Sequence, residues 1–509
     1  MHILSKVSSV RNLTAFLAVS LVLFSAEDGS AQSVSVQTVA QLLTELDRAS
    51  PGSEIVLADG LYRLAGRRMI VDRAGTANSP IVVRAQNQNG AVIETNGGES
   101  AFQVEQPYWI FDGLHIKVTN GSVHGYKLQG NGQHITIRNG KIELDSPAEG
   151  GIKGAGGANA PQPDYALIEN NEIWFTSPTR NNNCEGIDAV AVKGWIIRKN
   201  HIHDIQKSSQ GFDGIGWGVF TKGNSQDTII EENLIHDSFV SISLGGGGTG
   251  SQFFRDGDTR YEEQNGIIRN NIVMNSGDVA VYLNKASNAR IYNNTFFNSF
   301  TTCGAGCSSI DVRFGGSSAD IRNNILDKPI NDRDGGQHTA STNLFLASPT
   351  DGSWFVDVSN RDFHLKANTP PIDAAETLAL VTQDFYGVLR PQGSAFDIGA
   401  AEFEITVPPV LDAGLPEDSG TVIDSGMEDL GFPEQDAGTN MKDATSNPND
   451  TGSSVQSDAS PRTSVPRRVN EESSCSCSAL KQGIASEFTW VFLGLLVAVC
   501  LRRSRLKKD

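Results

Sequence analysis

The sequence predicts an all-β solenoid in which short strands wind into stacked coils and a helix covers the N-terminal end. The main observation is the pattern Ile-x-x-Asn/Gly-x-apolar, which recurs in the middle of the chain. Its copies are IRNGKI (137–142), IENNEI (168–173), IRKNHI (197–202), IEENLI (230–235), IRNNIV (268–273), IYNNTF (291–296) and IRNNIL (321–326). A fixed coil with loops of variable length explains their irregular spacing better than separate globular domains do.

The asparagine in each copy is interpreted as structural. Asn tolerates the left-handed backbone conformation that a sharp corner requires, and stacked Asn amides can form hydrogen bonds from coil to coil. With strands of successive coils about 4.8 Å apart, the apolar residues of each copy would stack into a continuous core.

The second observation is an amphipathic pattern that precedes the repeats. The apolar residues Val39, Leu42, Leu43 and Leu46 fall at i, i+3, i+4 and i+7. They predict a helix from about Thr38 to Ala49. A helix at this position would cover the open end of the solenoid and prevent pairing between the edges of two molecules.

The composition limits the class of partner. The chain has 509 residues, with 41 Lys and Arg against 59 Asp and Glu and a net charge of -18. Nucleic-acid binding is disfavoured because it needs a concentrated positive field. Residues 405–474 are rich in Asp, Pro and Gly with a single aromatic residue, which predicts a disordered acidic linker. The repetitive domain is therefore expected at 32–404.

Both ends of the chain carry export signals. Residues 1–31 combine basic residues, an apolar run and small residues, the layout of a secretory signal peptide. Residues 475–509 hold Cys475 and Cys477, the apolar run 488–501 and a terminal basic cluster. This predicts a membrane helix whose basic tail stays cytoplasmic.

The C-terminal arrangement resembles the myxobacterial sorting signal, in which a short Cys motif precedes a brief membrane helix and an Arg cluster. The resemblance implies modification at Cys475 or Cys477, with the protein anchored at the cell surface or outer membrane or released from it.

Several segments carry a second resemblance, to the right-handed parallel β-helix proteins of the pectate-lyase-like fold. They are PGSEIVLADGLY (51–62), the Asn repeats, and the closing segments DFHL (362–365), PPID (370–373) and DIGAAEF (397–403). The resemblance covers 32–404 and implies a right-handed parallel β-helix. Fold alone does not determine the activity.

The first candidate site is CEGIDAVAVKG (184–194), followed one coil later by FTKG (220–223). It resembles the alginate-lyase and chondroitinase-B family, whose sites pair calcium-binding carboxylates with a lysine base. The resemblance implies Asp188 as a ligand of calcium, with Glu185 as the second acid, and Lys193 as the base. Lys222, on the adjacent coil, is the second candidate catalytic lysine. Strict strand alternation, however, places Asp188 and Lys193 on opposite faces unless the strand bends, and both lysines could simply be surface residues at strand ends.

A histidine cluster forms the second candidate site. HIHD (201–204) and LIHD (234–237) share one register, so His203 should stack near His236. Such a pair could bind a metal, act as acid and base with His203 catalytic, or be a structural ladder.

The remaining candidate residues are predicted from residue type and position. Trp217, Arg255 and Arg313 are expected to bind substrate. Cys303 and Cys307 lie in one loop and are expected to form a disulfide in an oxidising compartment.

Together these features predict an exported, surface-anchored monomer that acts on an extracellular acidic polysaccharide, with calcium as the expected cofactor. A Ca²⁺-assisted polysaccharide lyase is the sharpest version, because neutralising a uronic acid carboxylate makes its α-proton acidic. The alternatives are a non-catalytic glycan-binding or adhesion protein and a glycoside hydrolase. The sequence leaves open whether the chain is an enzyme.

Overall fold

The computed structural model describes residues 33–119, 124–145, 148–159, 161–176, 184–205, 216–246, 248–299 and 307–404. The predicted signal peptide, acidic linker and sorting signal lie outside these residues, so the predicted domain boundaries remain predictions. Among the described residues no helix is long and apolar enough to span a membrane. The predicted membrane helix falls in the part of the chain that is not described.

The described chain consists mainly of short strands. The α-helix α1 spans Val39–Arg48. The first strands are β1 Ser33–Val36, β2 Glu54–Leu57, β3 Gly60–Arg63, β4 Met69–Val71, β5 Ile81–Ala85, β6 Ala91–Thr95, β7 Ser100–Val104, β8 Trp109–Asp112, β9 His115–Val118, β10 His124–Gln129, β11 Thr136–Arg138, β12 Lys141–Leu144 and β13 Gly150–Ala155.

The middle coils contain the next strands. They are β14 Leu167–Glu169, β15 Glu172–Phe175, β16 Glu185–Val190, β17 Ile196–Arg198, β18 His201–His203, β19 Trp217–Lys222, β20 Ser225–Gln226, β21 Ile229–Glu231, β22 Leu234–His236, β23 Val240–Leu244, β24 Glu263–Gln264, β25 Ile267–Arg269 and β26 Ile272–Met274.

The last coils and the closing segment contain the remaining strands. They are β27 Val281–Asn284, β28 Ala286–Ser287, β29 Ala289–Tyr292, β30 Thr295–Phe297, β31 Ile310–Arg313, β32 Ser318–Arg322, β33 Ile325–Leu326, β34 Ile330–Arg333, β35 Gln337–Ser341, β36 Leu344–Phe345, β37 Phe355–Asp357 and β38 Asp362–Leu365. Short 3₁₀ helices occur at Ser251–Phe253, Arg255–Gly257 and Val358–Asn360.

These strands form the predicted right-handed parallel β-helix. Within the described residues, three long sheets contain twelve, ten and eleven strands. The twelve-stranded sheet runs β1-β2-β5-β8-β11-β14-β17-β21-β25-β29-β32-β35, the ten-stranded sheet β34-β31-β27-β23-β19-β16-β13-β10-β7-β4, and the eleven-stranded sheet β3-β6-β9-β12-β15-β18-β22-β26-β30-β33-β36. Successive strands along one coil thus belong to different sheets, and each strand pairs in parallel with its equivalents in the adjacent coils.

The repeat pattern provides the interior. The first residue of every copy stacks in register in the twelve-stranded sheet and is at most 2% exposed: Ile137, Ile168, Ile197, Ile230, Ile268, Ile291 and Ile321. Burying one such side chain stabilises the fold by roughly 1.5–3 kcal/mol. The predicted continuous core is therefore confirmed.

The asparagine ladder is also confirmed, with one correction about the corner. The Asn171 Nδ2 group donates to Asn200 Oδ1 at 3.1 Å, and the same bond continues coil by coil to Asn343. The left-handed residue, however, is the one before the ladder asparagine, such as Asn170 or Lys199 with φ of 54°. The prediction that the ladder residue itself adopts this conformation was wrong, because its side chain must point inward to reach the next coil.

The predicted capping helix begins and ends close to the expected residues. Thr38 is the N-cap of α1, and its hydroxyl accepts a hydrogen bond from the Gln41 backbone N–H at 3.2 Å. Leu42 and Leu46 are buried against the first coil. The helix therefore covers the N-terminal end of the solenoid, as expected.

The C-terminal segment, residues 344–404, packs against the outer face of the eleven-stranded sheet. Its buried residues Phe355 and Phe363 contact Phe297 of β30, with ring centroids 6.4 and 5.6 Å away. Arg390 and Glu402 form an ion pair of 2.7 Å in which neither side chain is exposed. The closing motifs predicted from the sequence therefore form a second, smaller apolar core.

Candidate active site

A column of glycines bends the ten-stranded sheet and determines which side chains face outward. Gly125, Gly151, Gly186 and Gly218 occupy equivalent positions in β10, β13, β16 and β19. A Cβ atom on Gly186 would lie 2.5 Å from the Gly218 carbonyl oxygen and 2.8 Å from a methyl group of Ile202. A side chain at Gly186 would therefore point into the interior, as that of Ile187 does. The residues before and after this pair, Glu185 and Asp188, both face outward.

This bend places Glu185 and Asp188 on the same outer face. Ile187 between them belongs to the core and is not exposed. Strict alternation over three positions would have separated the two carboxyl groups. The bend that brings the two predicted acids together is thus present at Gly186, between Glu185 and Asp188.

Asp188 lies between two lysines from the adjacent coils. The Lys153 ammonium of β13 donates to Asp188 Oδ2, and the Lys222 Nζ of β19 lies 3.3 Å from the same oxygen. The Asp188 side chain is only 1% exposed, while the two lysine side chains are 24% and 19% exposed. Burial alone would raise the pKa of Asp188, but Lys222 and Lys153 together outweigh it and lower the pKa. We call Lys153, Glu185, Asp188 and Lys222 the lysine cluster.

Glu185 has the opposite electrostatic environment. Burial, followed by the neighbouring Asp188 charge, raises the pKa of Glu185 to about 8. It therefore carries its proton at neutral pH. Burial would lower the pKa of Lys153, but Asp188 and Glu185 outweigh it and raise the pKa, so Lys153 is a fixed positive charge.

Aromatic side chains border the lysine cluster on its C-terminal side. Trp217 of β19 lies beside Glu185 in register, and its ring stacks on Phe220 with centroids 5.0 Å apart. The Lys222 ammonium lies over the Phe220 ring at 4.0 Å. Trp217, predicted to bind substrate, is therefore next to the lysine cluster.

Lys193 is not part of this cluster. The strand β16 ends at Val190, and Ala191 turns the chain with φ of 56°. Lys193 follows the turn, pairs with Gln226 in an isolated bridge, and its Nζ lies 3.6 Å from Asp227 Oδ2. The structure thus brings Lys222, and not Lys193, to the predicted acids.

The two arginines predicted to bind substrate form protein ion pairs. The Arg255 guanidinium donates to both Asp164 oxygens, at 2.8 and 2.6 Å, and ties the 3₁₀ segment to another coil. Arg313 donates to Asp334 Oδ2 at 2.6 Å and lies in the same outer row as Lys222, three strands further along the sheet. Arg255 is therefore committed to structure, while Arg313 remains at the edge of the same face.

Sequence reasoning missed Lys153, although a signal was present. The glycine column begins a short motif, with Gly, an apolar residue and then an outward residue: GYK (125–127), GIK (151–153), GID (186–188) and GVF (218–220). Aligning these copies places Lys153 directly beside Asp188, as the strand register shows.

The predicted calcium ion does not fit the lysine cluster. Ca²⁺ takes six to eight oxygen ligands. Here Asp188 Oδ2 already accepts from two ammonium groups, and Glu185 keeps its proton at neutral pH. A divalent cation on these two acids would lie beside two positive charges, so we assign no calcium to Glu185 and Asp188.

His203 lies on a different sheet from the lysine cluster. It stacks on His236 of the next coil as predicted, with ring centroids 5.0 Å apart and planes 10° apart. His201 and Glu172 lie on the same outer face of the eleven-stranded sheet. Burial, followed by its two histidine neighbours, lowers the pKa of His201 to about 4.

The predicted cysteine chemistry is only partly described. Cys307 is disulfide-bonded. Its predicted partner Cys303 and the predicted modification sites Cys475 and Cys477 lie outside the described residues.

Comparisons with known proteins give one family match and several similar structures. Residues 36–144 match the family model of chondroitinase B. No curated protein matches the chain. The pectate lyase Pel9A is 17% identical with a TM-score of 0.47, over 71% of this chain and 90% of its own.

Two further solved structures are similar at comparable levels. The alginate lyase from Paenibacillus sp. str. FPU-7 is 18% identical with a TM-score of 0.40, over 63% of this chain and 97% of its own. A rhamnogalacturonan lyase is 13% identical with a TM-score of 0.39, over 68% of this chain and 93% of its own. From its own strand pairing, the chain is a right-handed parallel β-helix protein, and its first coils are similar to chondroitinase B.

Proposed function

We propose that this chain is a polysaccharide-lyase-like enzyme that cleaves an acidic glycan by β-elimination on the outer face of the ten-stranded sheet. The observation that carries the proposal is the pair of lysines, Lys153 and Lys222, held by the buried Asp188 next to a carboxyl group that keeps its proton. Such a set combines a fixed cation, an amine and an acid within one cluster.

β-Elimination needs each of these groups. A base removes the proton on the carbon next to the uronic acid carboxylate. The electron pair of that C–H bond forms a carbon–carbon double bond, and the bond to the glycosidic oxygen breaks. The leaving oxygen then takes up a proton, and no water is consumed. The substrate carboxylate must be neutralised for its neighbouring proton to become acidic.

The cluster offers one residue for each role. Lys153, whose pKa is raised, supplies the positive charge that faces the substrate carboxylate. Lys222, whose Nζ lies 3.3 Å from Asp188 Oδ2, is assigned as the base and acts through its neutral amine. Glu185 keeps its proton up to a pKa of about 8 and can supply a proton to the leaving oxygen. Asp188 orients the two lysines.

The substrate class is supported by two independent features. The first coils match the chondroitinase B family, whose name denotes cleavage of an acidic glycan. The cluster is cationic on its exposed side, and Arg313 lies about 14 Å further along the same row at the strand spacing of 4.8 Å. We therefore propose a uronic-acid-containing polysaccharide as substrate.

No step of this mechanism uses calcium. Both lysines contact Asp188 Oδ2, and Lys153, whose pKa is raised, provides the positive charge that a calcium ion would supply. Activity should therefore persist in a chelator that removes calcium.

The test is Lys222→Met in the full chain, with the absorbance of the unsaturated product measured on alginate, pectate and chondroitin. We expect the rate to fall by about 10²–10⁴-fold, the usual contribution of general acid–base catalysis. Lys199→Met is the matched control, because Lys199 pairs with Glu232 at a corner remote from the ten-stranded sheet. Equal rates for the two variants would contradict the assignment.

Non-catalytic glycan binding is the second candidate, favoured by the low exposure of the cluster. Asp188 is only 1% exposed, and every residue of β16 is buried. Binding of these glycans by the unaltered chain without any unsaturated product would support this alternative.

We also propose that the protein is exported and displayed at the cell surface. The support is the signal-peptide layout of 1–31 and the sorting-signal layout of 475–509. Cell fractionation of a strain that expresses the full chain would test this, since recovery in the cytoplasm contradicts it.

A further inference from the structure

A second cluster of chemically active side chains lies on the outer face of the eleven-stranded sheet. Glu172 of β15 and His201 and His203 of β18 each present one ligand-type atom, and these three atoms lie within 4.8 Å of one another. The side chains of His201 and Glu172 are 35% and 32% exposed, so ions from solvent can reach the cluster from their side.

The hydrogen bonds of His203 determine which of its nitrogens carries the lone pair. Its Nδ1 lies 2.7 Å from Asp204 Oδ2, and a carboxylate can only accept, so this nitrogen carries the proton. The Nε2 atom of neutral His203 is then an acceptor. It is buried and has no hydrogen-bond partner. An unpaired buried acceptor is unfavourable unless a cation or donor satisfies it.

The hydrogen bonds of the neighbouring His236 determine in the same way which nitrogen of His201 carries the lone pair. His236 Nδ1 lies 2.6 Å from Asp237 Oδ2 and therefore donates its proton to this carboxylate. His236 Nε2 is then an acceptor, and it lies 2.8 Å from His201 Nε2, which must be the donor. The remaining nitrogen of His201, Nδ1, carries a lone pair and lies 4.0 Å from Glu172 Oε1.

Glu172 completes the set with one of its two oxygens. Its Oε2 contacts the Lys141 ammonium at 2.8 Å, while Oε1 lies 3.5 Å from His203 Nε2. Two imidazole lone pairs and one carboxylate oxygen therefore converge without a protein hydrogen to share between them. A single cation would satisfy all three at once, whereas one water molecule has only two hydrogens to donate.

We propose that Glu172, His201 and His203 bind a divalent transition-metal ion of the zinc class. Two imidazoles and one carboxylate are a donor set that this class prefers, and three protein ligands leave a position for water. In a tetrahedral site with bonds of 2.0–2.1 Å, two ligand atoms lie about 3.4 Å apart, close to the observed 3.5 Å between Glu172 and His203.

Hydrogen bonds from neighbouring residues hold both histidines in the required orientation. Asp204 orients His203 directly, while His236 and Asp237 form a relay behind His201. Metal-binding histidines usually have such carboxylate partners. His203, which the sequence suggested as a catalytic residue, is thereby assigned as a ligand. The bound ion would connect β15 to β18 and so tie two coils together, and it is independent of the proposed elimination.

The test is Zn²⁺ binding to the full chain after removal of metal with a chelator, followed by isothermal titration calorimetry. We expect one equivalent per chain that His203→Gln abolishes. His236→Gln removes the hydrogen-bond acceptor behind His201 and the ring stacked on His203, but no proposed ligand, and should weaken binding 10–100-fold. Co²⁺ bound at the same site should show the intense visible bands of a low-coordinate ion.

His115→Gln is the matched control, because His115 lies on the same sheet face but pairs with Glu143 and is outside the cluster. It should bind as the unaltered chain does. If His203→Gln does not fold, Glu172→Gln preserves the size of the side chain and removes the carboxylate ligand. An unaltered chain that fails to bind one equivalent, or folded ligand variants that still bind it, would overturn the proposal.

Discussion

At the residue scale, two carboxyl groups three positions apart have opposite charge states. Asp188 is held ionised by two ammonium groups, while Glu185 is buried beside it and keeps its proton. Pairs of acids whose environments separate their pKa values are typical of sites that need both a base and an acid. The bend at Gly186 is what brings the two groups to one face.

The protonated Glu185 predicts a measurable pH dependence of stability. Its pKa is raised from 4.5 to about 8 in the folded chain, chiefly by burial. Between these values the unfolded chain releases a proton that the folded chain keeps, so the free energy of unfolding should fall as pH rises. The contribution is at most about 1.4 kcal/mol per pH unit.

The variant Glu185→Gln removes this titration. Its free energy of unfolding in urea, measured at pH 5, 6, 7 and 8, should fall less steeply than that of the unaltered chain. Glu404→Gln, at an exposed position, is the control that should retain the original slope. Identical slopes for all three proteins would show that Glu185 is ionised in the fold.

The site residues that could be proposed from the sequence differ from the one that was missed in how their contacts arise. Asp188 could be proposed from the resemblance to the alginate-lyase and chondroitinase-B family, and Lys222 because it follows one coil later. Lys153 was missed because it lies on the coil before Asp188, and their contact depends on strand register and not on the spacing of residues within one motif. Lys193 was included by analogy, but the turn at Ala191 carries it to Asp227.

At the element scale, the glycine column is the part of the ten-stranded sheet where no residue with a Cβ atom fits without a shift of the backbone. At each position a Cβ atom would approach a carbonyl oxygen of the next coil, at 2.9 Å for Gly125, 2.7 Å for Gly151, 2.5 Å for Gly186 and 2.6 Å for Gly218. Contacts this short force the backbone to shift, and neighbouring coils would have to shift with it.

Gly186→Ala should therefore destabilise the protein by about 1–3 kcal/mol, the usual cost of overpacking. The change should also reduce any lyase activity, because the bend orients Glu185 and Asp188. Urea unfolding followed by optical spectroscopy measures the first effect and product absorbance the second.

Gly315→Ala is the control for this prediction. No atom lies within 4 Å of a Cβ built at Gly315, and its backbone does not need a left-handed conformation. It should unfold at the same urea concentration as the unaltered chain. A Gly186→Ala variant as stable as this control would mean that the bend does not require glycine.

Most of the fold could be predicted because the repeat encodes it directly. The periodic isoleucines and asparagines specify the strand positions, the core and the ladder. The glycine bend could not be predicted from strand alternation, since it inserts one extra inward residue in every strand of the column. The site was therefore harder to predict than the coil that supports it.

At the scale of the whole molecule, the C-terminal segment covers an apolar face of the solenoid that would otherwise be exposed to solvent. Arg390 holds this segment together through the buried pair with Glu402 and a further bond to the Gly399 carbonyl oxygen at 2.8 Å. Removing one partner of a buried pair leaves the other charge without compensation, which typically costs 3–5 kcal/mol.

Arg390→Met should therefore loosen the C-terminal segment before the coils unfold. We expect limited proteolysis to cut first within residues 344–404, and the free energy of unfolding to fall by about 3–5 kcal/mol. Arg322→Met is the comparison, because its pair with Glu376 is 37% and 38% exposed and should contribute less than about 1 kcal/mol. Similar losses in both variants would mean that the buried pair contributes no more to stability than the exposed one.

The asparagine ladder has a direction that bears on how such a protein can lengthen in evolution. From Asn171 to Asn324, each side-chain amide donates to the side-chain oxygen of the following asparagine, whereas the Oδ1 atom of the first rung, Asn171, accepts from the Gly140 backbone N–H at 3.0 Å. A duplicated unit that lacks asparagine can thus be added before the ladder, where any backbone N–H suffices. The same unit inserted between two rungs would leave a donor unmatched. Gene duplication should accordingly be tolerated at one end of this array more readily than in its middle.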